Sequence, residues 1–108
     1  MDDCIFCKIV EGALDTEFLY EDEQIVAFND VHPQKPVHIL FIPKVHIKEF
    51  FELTGDAVLA SMRKAINQLI SDNTLQERGY KIEVNGGGAQ LVDHLHFHLL
   101  GPMAKPTV

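Results

Sequence analysis

The sequence predicts one small domain of mixed α and β structure, in which several short strands accompany one long helix. At 108 residues with 46% hydrophobic content, the chain is long enough for one packed core and too short for two. The apolar run Val37–Pro43 is typical of a buried strand. Apolar residues that recur every three or four positions after Thr54 are typical of an amphipathic helix.

The first half of the chain predicts three strands. Glu17 to Asp30 predicts a hairpin of two short strands, because apolar and aromatic residues flank an acidic turn at residues 21–23. The run Val37–Pro43 follows as a nearly continuous β-rich segment that ends at Pro43. This third strand is therefore expected at the centre of a sheet.

The second half predicts the long helix and two further strands. Thr54 can cap the helix, and a polar break from Ser71 to Gly79 follows it. The alternating segment Tyr80–Asn85 predicts a fourth strand, and a glycine-rich turn at residues 86–88 leads to a fifth strand from Asp93 to Leu100. The apolar helix positions are Val58, Leu59, Met62, Ala65, Ile66, Leu69 and Ile70.

Composition limits the partners and the compartment. The 16 acidic and 9 basic side chains give a formal charge of −7, which disfavours binding to a nucleic-acid backbone but allows a small nucleotide. The N-terminus opens acidic, and its short apolar stretch is broken by Lys8 and Glu11, so we expect neither a signal peptide nor a membrane span. The cytoplasm is the expected location.

Residues 1–108 form one predicted domain. The tail, residues 102–108, contains two prolines, which predict a loosely ordered segment or one that lies against another chain.

Three histidines, His94, His96 and His98, alternate with apolar residues near the end of the chain. A strand sends alternate side chains to one face, so all three imidazoles are expected there. Three interpretations compete: a water-activating His₃ zinc site, a polar face of satisfied histidines, and nucleophilic attack of an imidazole on phosphorus. The zinc site is disfavoured because neighbours on one strand face lie about 6 to 7 Å apart. Nucleophilic catalysis suits the row, since adjacent imidazoles can bind phosphoryl oxygens and protonate a leaving group.

Two cysteines, Cys4 and Cys7, form a C-x-x-C pair near the N-terminus. A reducing cytosol favours metal binding or redox chemistry over a structural disulfide for such a pair. Two partly buried thiols without a function are the alternative.

Several segments carry a resemblance to the histidine triad family, closest to its phosphoramidase (Hint) branch. The segment His94 to Leu100 matches the motif His-φ-His-φ-His-φ-φ, in which φ is apolar. Other matching segments occur in the same order: Ile5–Val10, Ile25 to Asp30, Pro36 to His46, and Asn85 with Gln90 and Val92. The resemblance implies an α+β fold, with a five-stranded antiparallel sheet, one long helix and a short N-terminal helix, paired into a homodimer.

The resemblance also implies roles for individual residues. His96 is the implied nucleophile and His98 lies near the phosphate and the leaving group. His94 and His38 form a supporting shell, although a satisfied core histidine is an equal alternative for His38. Ile5, Phe6, Phe28, Asn29, Asp30 and Val31 line the implied nucleoside pocket, where Asp30 accepts hydrogen bonds from the ribose. Asn85 and Gln90 flank the glycine turn, whose backbone N–H groups could hold phosphate oxygens.

In relatives that have the N-terminal cysteine pair the metal is zinc, and the implied ligands here are Cys4, Cys7, His46 and His94. Such a Cys₂His₂ set is typical of a closed, structural zinc site. The implied reaction is hydrolysis of nucleoside 5′-phosphoramidates or related conjugates to an AMP-type product, with a purine preferred and no organic cofactor. A dinucleoside polyphosphate hydrolase, or a zinc-stabilised nucleotide-binding adaptor with little turnover, is the alternative.

One position departs from the family pattern. Leu91 stands where the family usually has Ser or Thr, whose hydroxyl contacts the leaving-group side of the phosphate. A leucine cannot donate that hydrogen bond. By analogy with the loss of an oxyanion-hole donor, this predicts a rate lower by roughly 10²-fold.

Overall fold

The computed structural model describes residues 3–106 and forms a five-stranded antiparallel sheet with helices on both faces. The tail residues Thr107 and Val108, for which we predict loose order, lie outside the described residues. The elements in chain order are α1 (Ile5–Val10), β1 (Tyr20–Glu21), β2 (Ile25–Asn29), β3 (Val37–Pro43), α2 (Ala57–Asp72), α3 (Leu75–Arg78), β4 (Lys81–Val84) and β5 (Phe97–Gly101), with a 3₁₀ turn at Phe50–Glu52. The strands are ordered β1-β2-β3-β5-β4, and every neighbouring pair is antiparallel. The predicted α+β class is confirmed.

The larger core lies between α2 and one face of the sheet. Its members alternate along the strands and recur every three or four residues on the helix, because those spacings bring side chains to one face. From the strands come Ile25, Ala27, Ile39, Phe41, Phe97 and Leu99, and from α2 come Met62, Ala65, Ile66, Leu69 and Ile70. The predicted helix face is thus buried, apart from Val58, which is half-buried, and Leu59, which stays 39% exposed.

A smaller core covers the opposite face of the sheet, where α1 packs. Phe6 and Ile9 of α1 contact a cluster formed by the alternate residues of β2 and β3, namely Val26, Phe28, Leu40 and Ile42. Both central strands are therefore buried on both faces, which accounts for the continuous apolar run of β3. Within residues 3–106, no helix combines the length and the apolar character needed to cross a lipid bilayer.

Four predicted boundaries are corrected. The hairpin turn lies at residues 22–24, because the Asp22 carboxylate accepts hydrogen bonds from the N–H groups of Gln24 and Ile25. Helix α2 begins at Ala57, after Asp56, and not beside Thr54. The predicted polar break holds the end of α2 and all of α3, since Leu75 is fully buried against the larger core. The sheet includes Gly101, and the N–H of Met103 donates to the carbonyl of Gly79, so the start of the tail is ordered.

The fifth strand begins four residues later than predicted. Strands β3 and β5 pair from Val37↔Gly101 to Phe41↔Phe97. Continued two residues further, this register would place Leu95 opposite Pro43, whose nitrogen has no hydrogen to donate. The N–H of Leu95 instead donates to the carbonyl of Ile47. His94 and His96 therefore precede the strand, and only His98 of the three motif histidines lies within it.

Candidate functional site

A cavity of about 580 Å³ opens on the sheet face that carries α1. This volume suits a small organic ligand such as a mononucleotide. Nearly all of the predicted nucleotide-binding residues line the cavity: Ile5, Phe6, Phe28, Asn29, Asp30, Val31, Asn85, His96 and His98. Gln90 does not. His38, predicted as a supporting residue, also lines the cavity wall.

Two phenylalanines form an apolar wall of this cavity. Phe6 of α1 and Phe28 of β2 are buried and meet edge to face, with ring centroids 5.8 Å apart. The ring of Phe6 also lies edge-on to the imidazole of His96, at 5.1 Å between centroids. A planar base placed on this wall would therefore lie close to the histidines.

The tautomer of His96 is determined by one backbone carbonyl. Its Nδ1 lies 2.8 Å from the carbonyl oxygen of His94, which can only accept a hydrogen bond. The neutral ring therefore carries its proton on Nδ1 and keeps a lone pair on Nε2. A free lone pair on a buried imidazole at a cavity wall is what attack on phosphorus requires.

His38 and His98 form a second hydrogen-bonded unit. The N–H of Gln34 donates to Nδ1 of His38 at 3.1 Å, so the His38 proton is on Nε2. The Nε2–H of His38 points at Nδ1 of His98, and the two nitrogens lie 2.9 Å apart. Oδ2 of Asp30 lies 3.4 Å from Nε2 of His38. His98 accepts at Nδ1 and therefore carries its own proton on Nε2. His38 is thus a buried, bonded histidine that also fixes the tautomer of His98.

The surroundings of His98 favour its neutral form. Burial holds the pKa of His98 below its ordinary value, and the neighbouring His96 and His38 lower it further. The carboxylates of Glu83 and Asp30 act on the pKa of His98 in the opposite direction. The ring centroids of His96 and His98 lie 5.0 Å apart, so the ring that keeps a lone pair on Nε2 is next to the ring that carries its proton on Nε2.

The glycine turn offers fewer free donors than the sequence suggests. The N–H of Gly87 donates to the carboxylate of Glu49 at 3.1 Å, and the N–H of Gly88 donates to Oε1 of Gln90 at 2.9 Å. The N–H of Ala89 donates to the carbonyl of Gly86. Three consecutive N–H groups are therefore already bonded within the chain. Gln90 stabilises this turn, and its buried Nε2 is a donor for which the described residues supply no acceptor.

Leu91 lies at the mouth of the cavity with its side chain 96% exposed. Val92, which is half-buried, and Ile5 flank it on the cavity wall. A large apolar side chain in this position presents carbon where a hydroxyl would present a donor. The side chain of Leu91 thus offers no hydrogen-bond donor to a ligand in the cavity.

The four predicted metal ligands converge in one cluster beside the cavity. Cys4 precedes α1 and Cys7 lies in its first turn, His46 follows β3, and His94 is fully buried before β5. Nδ1 of His94 lies 3.3 Å from Sγ of Cys4 and 3.5 Å from Sγ of Cys7, and Nδ1 of His46 lies 3.2 Å from Sγ of Cys7. All four ligand atoms lie within 4.8 Å of one another.

This geometry fits a tetrahedral zinc ion. With Zn–S near 2.3 Å and Zn–N near 2.0–2.1 Å, a tetrahedron separates sulfur from nitrogen by about 3.5 Å, close to the observed distances. Nε2 of His94 lies 2.8 Å from the carbonyl oxygen of Pro43 and must donate to it, so the Nδ1 lone pair faces the sulfurs. Burial, followed by the neighbouring Cys4 thiol, raises the pKa of Cys7 to about 11. A divalent cation would favour the thiolate and offset that effect.

Sequence reasoning missed Glu83, a carboxylate on the cavity wall. Glu83 lies in β4 directly opposite His98 in β5, so both side chains are on the same face of the sheet. The alternation of Tyr80–Asn85 placed Glu83 on one face of a strand. Only the pairing register with β5 shows that this face is the one that carries His98.

Comparisons with known proteins give one consistent result. Residues 3–108 match the family model described as "Scavenger mRNA decapping enzyme C-term binding". A HIT-like protein of Chlamydia trachomatis is 46% identical over 101 residues, which cover 90% of each chain. The structure of a HIT family hydrolase from Clostridium thermocellum is 38% identical, with a TM-score of 0.90 over 100% of this chain and 98% of the other. That of a histidine triad nucleotide-binding protein from Candida albicans is 30% identical, with a TM-score of 0.83 over 98% and 87% of the two chains.

Proposed function

Because the chain belongs to the histidine triad family, we propose that it hydrolyses nucleoside 5′-phosphoramidates or related nucleotide conjugates to an AMP-type product. The observation that carries this proposal is the free Nε2 lone pair of His96 on a cavity wall, on a ring next to that of His98, which carries its proton on Nε2. A nucleophile and a proton donor on adjacent rings are the two groups that such a reaction needs. The family's phosphoramidase branch is our proposed assignment within it.

The proposed reaction has two displacements at phosphorus. Nε2 of His96 attacks the α-phosphorus, the phosphorus–nitrogen bond of the substrate breaks, and the departing amine takes a proton from the Nε2–H of His98. Water then attacks the phosphorus of the nucleotidyl-histidine, and one proton of this water returns to Nε2 of His98. The phosphorus–nitrogen bond to His96 breaks, and AMP leaves with both imidazoles restored. His38 is a positioning residue in this scheme, because it directs the His98 proton to Nε2.

The nucleoside half of the substrate is proposed to occupy the wall formed by Phe6 and Phe28. Asp30 accepts from the N–H of His32 through Oδ1, and we propose that Oδ2 accepts from the ribose hydroxyls. Ile5, Asn29 and Val31 complete the nucleoside pocket. Their apolar and polar groups suit a purine nucleoside.

The test is AMP release from adenosine 5′-phosphoramidate by the purified chain, run beside His96→Ala. Release that disappears in the variant supports the proposal. His96→Asn serves as a folding control, because an asparagine amide can still donate towards the carbonyl of His94. Release that continues at the wild-type rate in both variants contradicts the proposed nucleophile.

One observation favours a second candidate, a nucleotide-binding adaptor with little turnover. Leu91 leaves the phosphate without the hydroxyl donor that the family usually has. Under this alternative, AMP would bind in the same cavity and no conjugate would be cleaved. Calorimetric binding of AMP without turnover of any phosphoramidate would select it.

We further propose that Cys4, Cys7, His46 and His94 hold one structural zinc ion. The convergence of four ligand atoms and the orientation of the His94 Nδ1 lone pair support this assignment. Zinc would join α1 to the segment before β5 and so stabilise a small domain. The test is metal content by mass spectrometry, with about one zinc per chain expected and none retained by Cys7→Ser.

A homodimer is also proposed, through the face that carries β4. Strand β4 is an edge of the sheet, and an apolar groove of about 470 Å³ lies between it and α2. Leu59 of α2 and Ile82 of β4 line the groove and are 39% and 45% exposed. A second copy could pair with the free strand edge and cover these side chains. Sedimentation of wild type and Leu59→Lys tests this, with a dimer that dissociates in the variant expected.

A cytoplasmic location is proposed for the same chain. Cys4 and Cys7 are not joined by a disulfide, which suits a reducing compartment. Fractionation of cells with an antibody to the chain tests the location, and recovery in an extracellular fraction would contradict it.

A further inference from the structure

The charge on the cavity wall is one-sided. Apart from histidines, the charged side chains that line the cavity are Asp30 and Glu83, both acidic. Among residues 3–106, no lysine or arginine lines this cavity. Sites that bind a chain of phosphates ordinarily supply Lys, Arg or a metal to balance its charge. The wall therefore disfavours a polyphosphate next to the α-phosphate.

Glu83 lies where the leaving group would depart. It is the direct cross-strand partner of His98, so the two Cβ atoms lie about 4.5–5.5 Å apart on the same face. The group that departs from phosphorus takes its proton beside His98 in the proposed reaction. Asp30, by contrast, follows the end of β2 and lines the cavity beside Asn29 and Val31, with Oδ2 3.4 Å from Nε2 of His38.

One neighbour partly offsets the charge of Glu83. Nζ of Lys81 lies 3.3 Å from Oε1 of Glu83, and both side chains are well exposed to solvent. An exposed ion pair of this kind is weak, because water screens both charges. Lys81 itself is not on the cavity wall. Glu83 therefore still contributes a negative potential in the cavity.

We propose that Glu83 selects the leaving group: it favours nucleotide conjugates whose departing amine carries an additional positive charge, and disfavours those with an anionic leaving group. This inference rests on the proposed hydrolysis and names the substrate class within it. It also separates the phosphoramidase from the dinucleoside polyphosphate hydrolase, whose leaving group is a nucleotide polyphosphate. The alternative is that Glu83 serves only as the surface partner of Lys81.

The test uses three adenosine 5′-phosphoramidates of equal length, whose alkylamine ends in an ammonium, a methyl or a carboxylate group. We expect kcat/KM to fall in that order for the wild type, with diadenosine tetraphosphate slower than the methyl compound. In Glu83→Gln, the ratio of kcat/KM for ammonium over carboxylate should fall about tenfold, as expected for one charge about 6 Å from an end group that changes from +1 to −1 at the dielectric constant of water. The ratio should also fall in the wild type at high salt.

Two matched variants distinguish selection from a general charge effect. Glu77→Gln, on exposed α3 away from the cavity, removes the same charge and should leave the ratio unchanged. Lys81→Gln removes the partner of Glu83 and should raise the ratio. A ratio that is the same in the wild type and in Glu83→Gln would overturn the proposal, as would an equal fall in Glu77→Gln.

A binding measurement keeps this test independent of turnover. Dissociation constants of the three amidates for His96→Ala, with and without Glu83→Gln, are measured by calorimetry. Affinities that follow the charge order only when Glu83 is present support the proposal even if the wild type releases no AMP. Affinities with no charge order in either background overturn it. Absence of AMP release by the wild type, or its survival in His96→Ala, contradicts the proposed function instead.

Discussion

Two histidines of one motif, His94 and His96, differ in which ring nitrogen they present. His94 donates from Nε2 to the carbonyl of Pro43 and turns Nδ1 to the sulfurs of Cys4 and Cys7. His96 donates from Nδ1 to the carbonyl of His94 and leaves Nε2 at the cavity. The two side chains are chemically identical. The backbone carbonyl oxygen that each ring contacts therefore determines which nitrogen keeps its lone pair. A backbone hydrogen-bond acceptor thus gives His94 the geometry of a metal ligand and His96 the geometry of a nucleophile.

The largest expected effect separates the cavity beside His96 from the cluster of metal-ligand candidates beside His94. His96→Ala should lower kcat by roughly 10⁴-fold or more, because nothing else in the cavity replaces a nucleophile, yet its melting temperature should still rise on adding zinc. Cys7→Ser should lose that zinc-dependent rise and keep a reaction that depends on His96. Thermal melts with and without zinc, beside AMP-release assays, measure both. Loss of both properties in each variant would mean that the two regions are one functional unit.

The loss of His38, which positions the proton of His98, is expected to have a smaller effect on kcat. His38→Ala removes the N–H that directs the His98 proton to Nε2, and kcat should fall about 10²-fold, the usual size of a lost acid–base contribution. KM should change less, since His38 acts on the proton and not on the nucleoside. His38→Gln, which can place an amide N–H near the same acceptor, should recover part of the rate. An unchanged kcat in His38→Ala would leave His38 a core histidine only.

Leu91 offers a gain of function. Leu91→Ser should recover part of the rate lost through the missing hydroxyl and raise kcat/KM for a phosphoramidate by about tenfold, because a hydrogen bond to a charged group contributes roughly 1.5 kcal/mol. Since Leu91 is almost fully exposed, the substitution should leave stability within about 0.5 kcal/mol. Steady-state kinetics and thermal melting check the two parts. Leu91→Ala is the control, because it shortens the side chain without adding a donor, and an equal gain there would point to steric relief.

The smallest expected effect is a change in a pKa. Burial, with His96 and His38, holds the pKa of His98 below its ordinary value, whereas Glu83 and Asp30 raise it. Removing the charge in Glu83→Gln should therefore move the pKa of His98 lower still. NMR titration of the imidazole nitrogens in the wild type and the variant measures this difference. A His98 pKa that rises in Glu83→Gln would contradict the assigned sign.

The sequence predicts best the features that depend on nearby residues. The bounds of β3 are predicted to the residue, because its apolar run and Pro43 are both local. The apolar face of α2 follows from periodicity alone. All four zinc candidates converge, although they come from three separate segments. Family resemblance identified this set, which no local pattern could.

The failures depend on distant partners. The start of β5 is decided by Pro43, which lies in another strand, so the strand is shorter than its alternating pattern predicts. Helix α3 forms because Leu75 is buried in a core that no local pattern shows. Glu83 joins the site through its register with His98, and the N–H groups of Gly87 and Gly88 are taken by Glu49 and Gln90. These contacts join residues that the fold, and not the local sequence, brings together.

The most direct test of the central claim is to trap the nucleotide on His96. The chain is mixed with an adenosine phosphoramidate, stopped with alkali, which preserves a phosphorus–nitrogen bond to histidine, digested and examined by mass spectrometry. The account predicts a peptide that carries one AMP on His96, and no such peptide from His96→Ala. An adduct on His94, His98 or another side chain, or AMP release with no adduct at any time point, would contradict a nucleophilic His96.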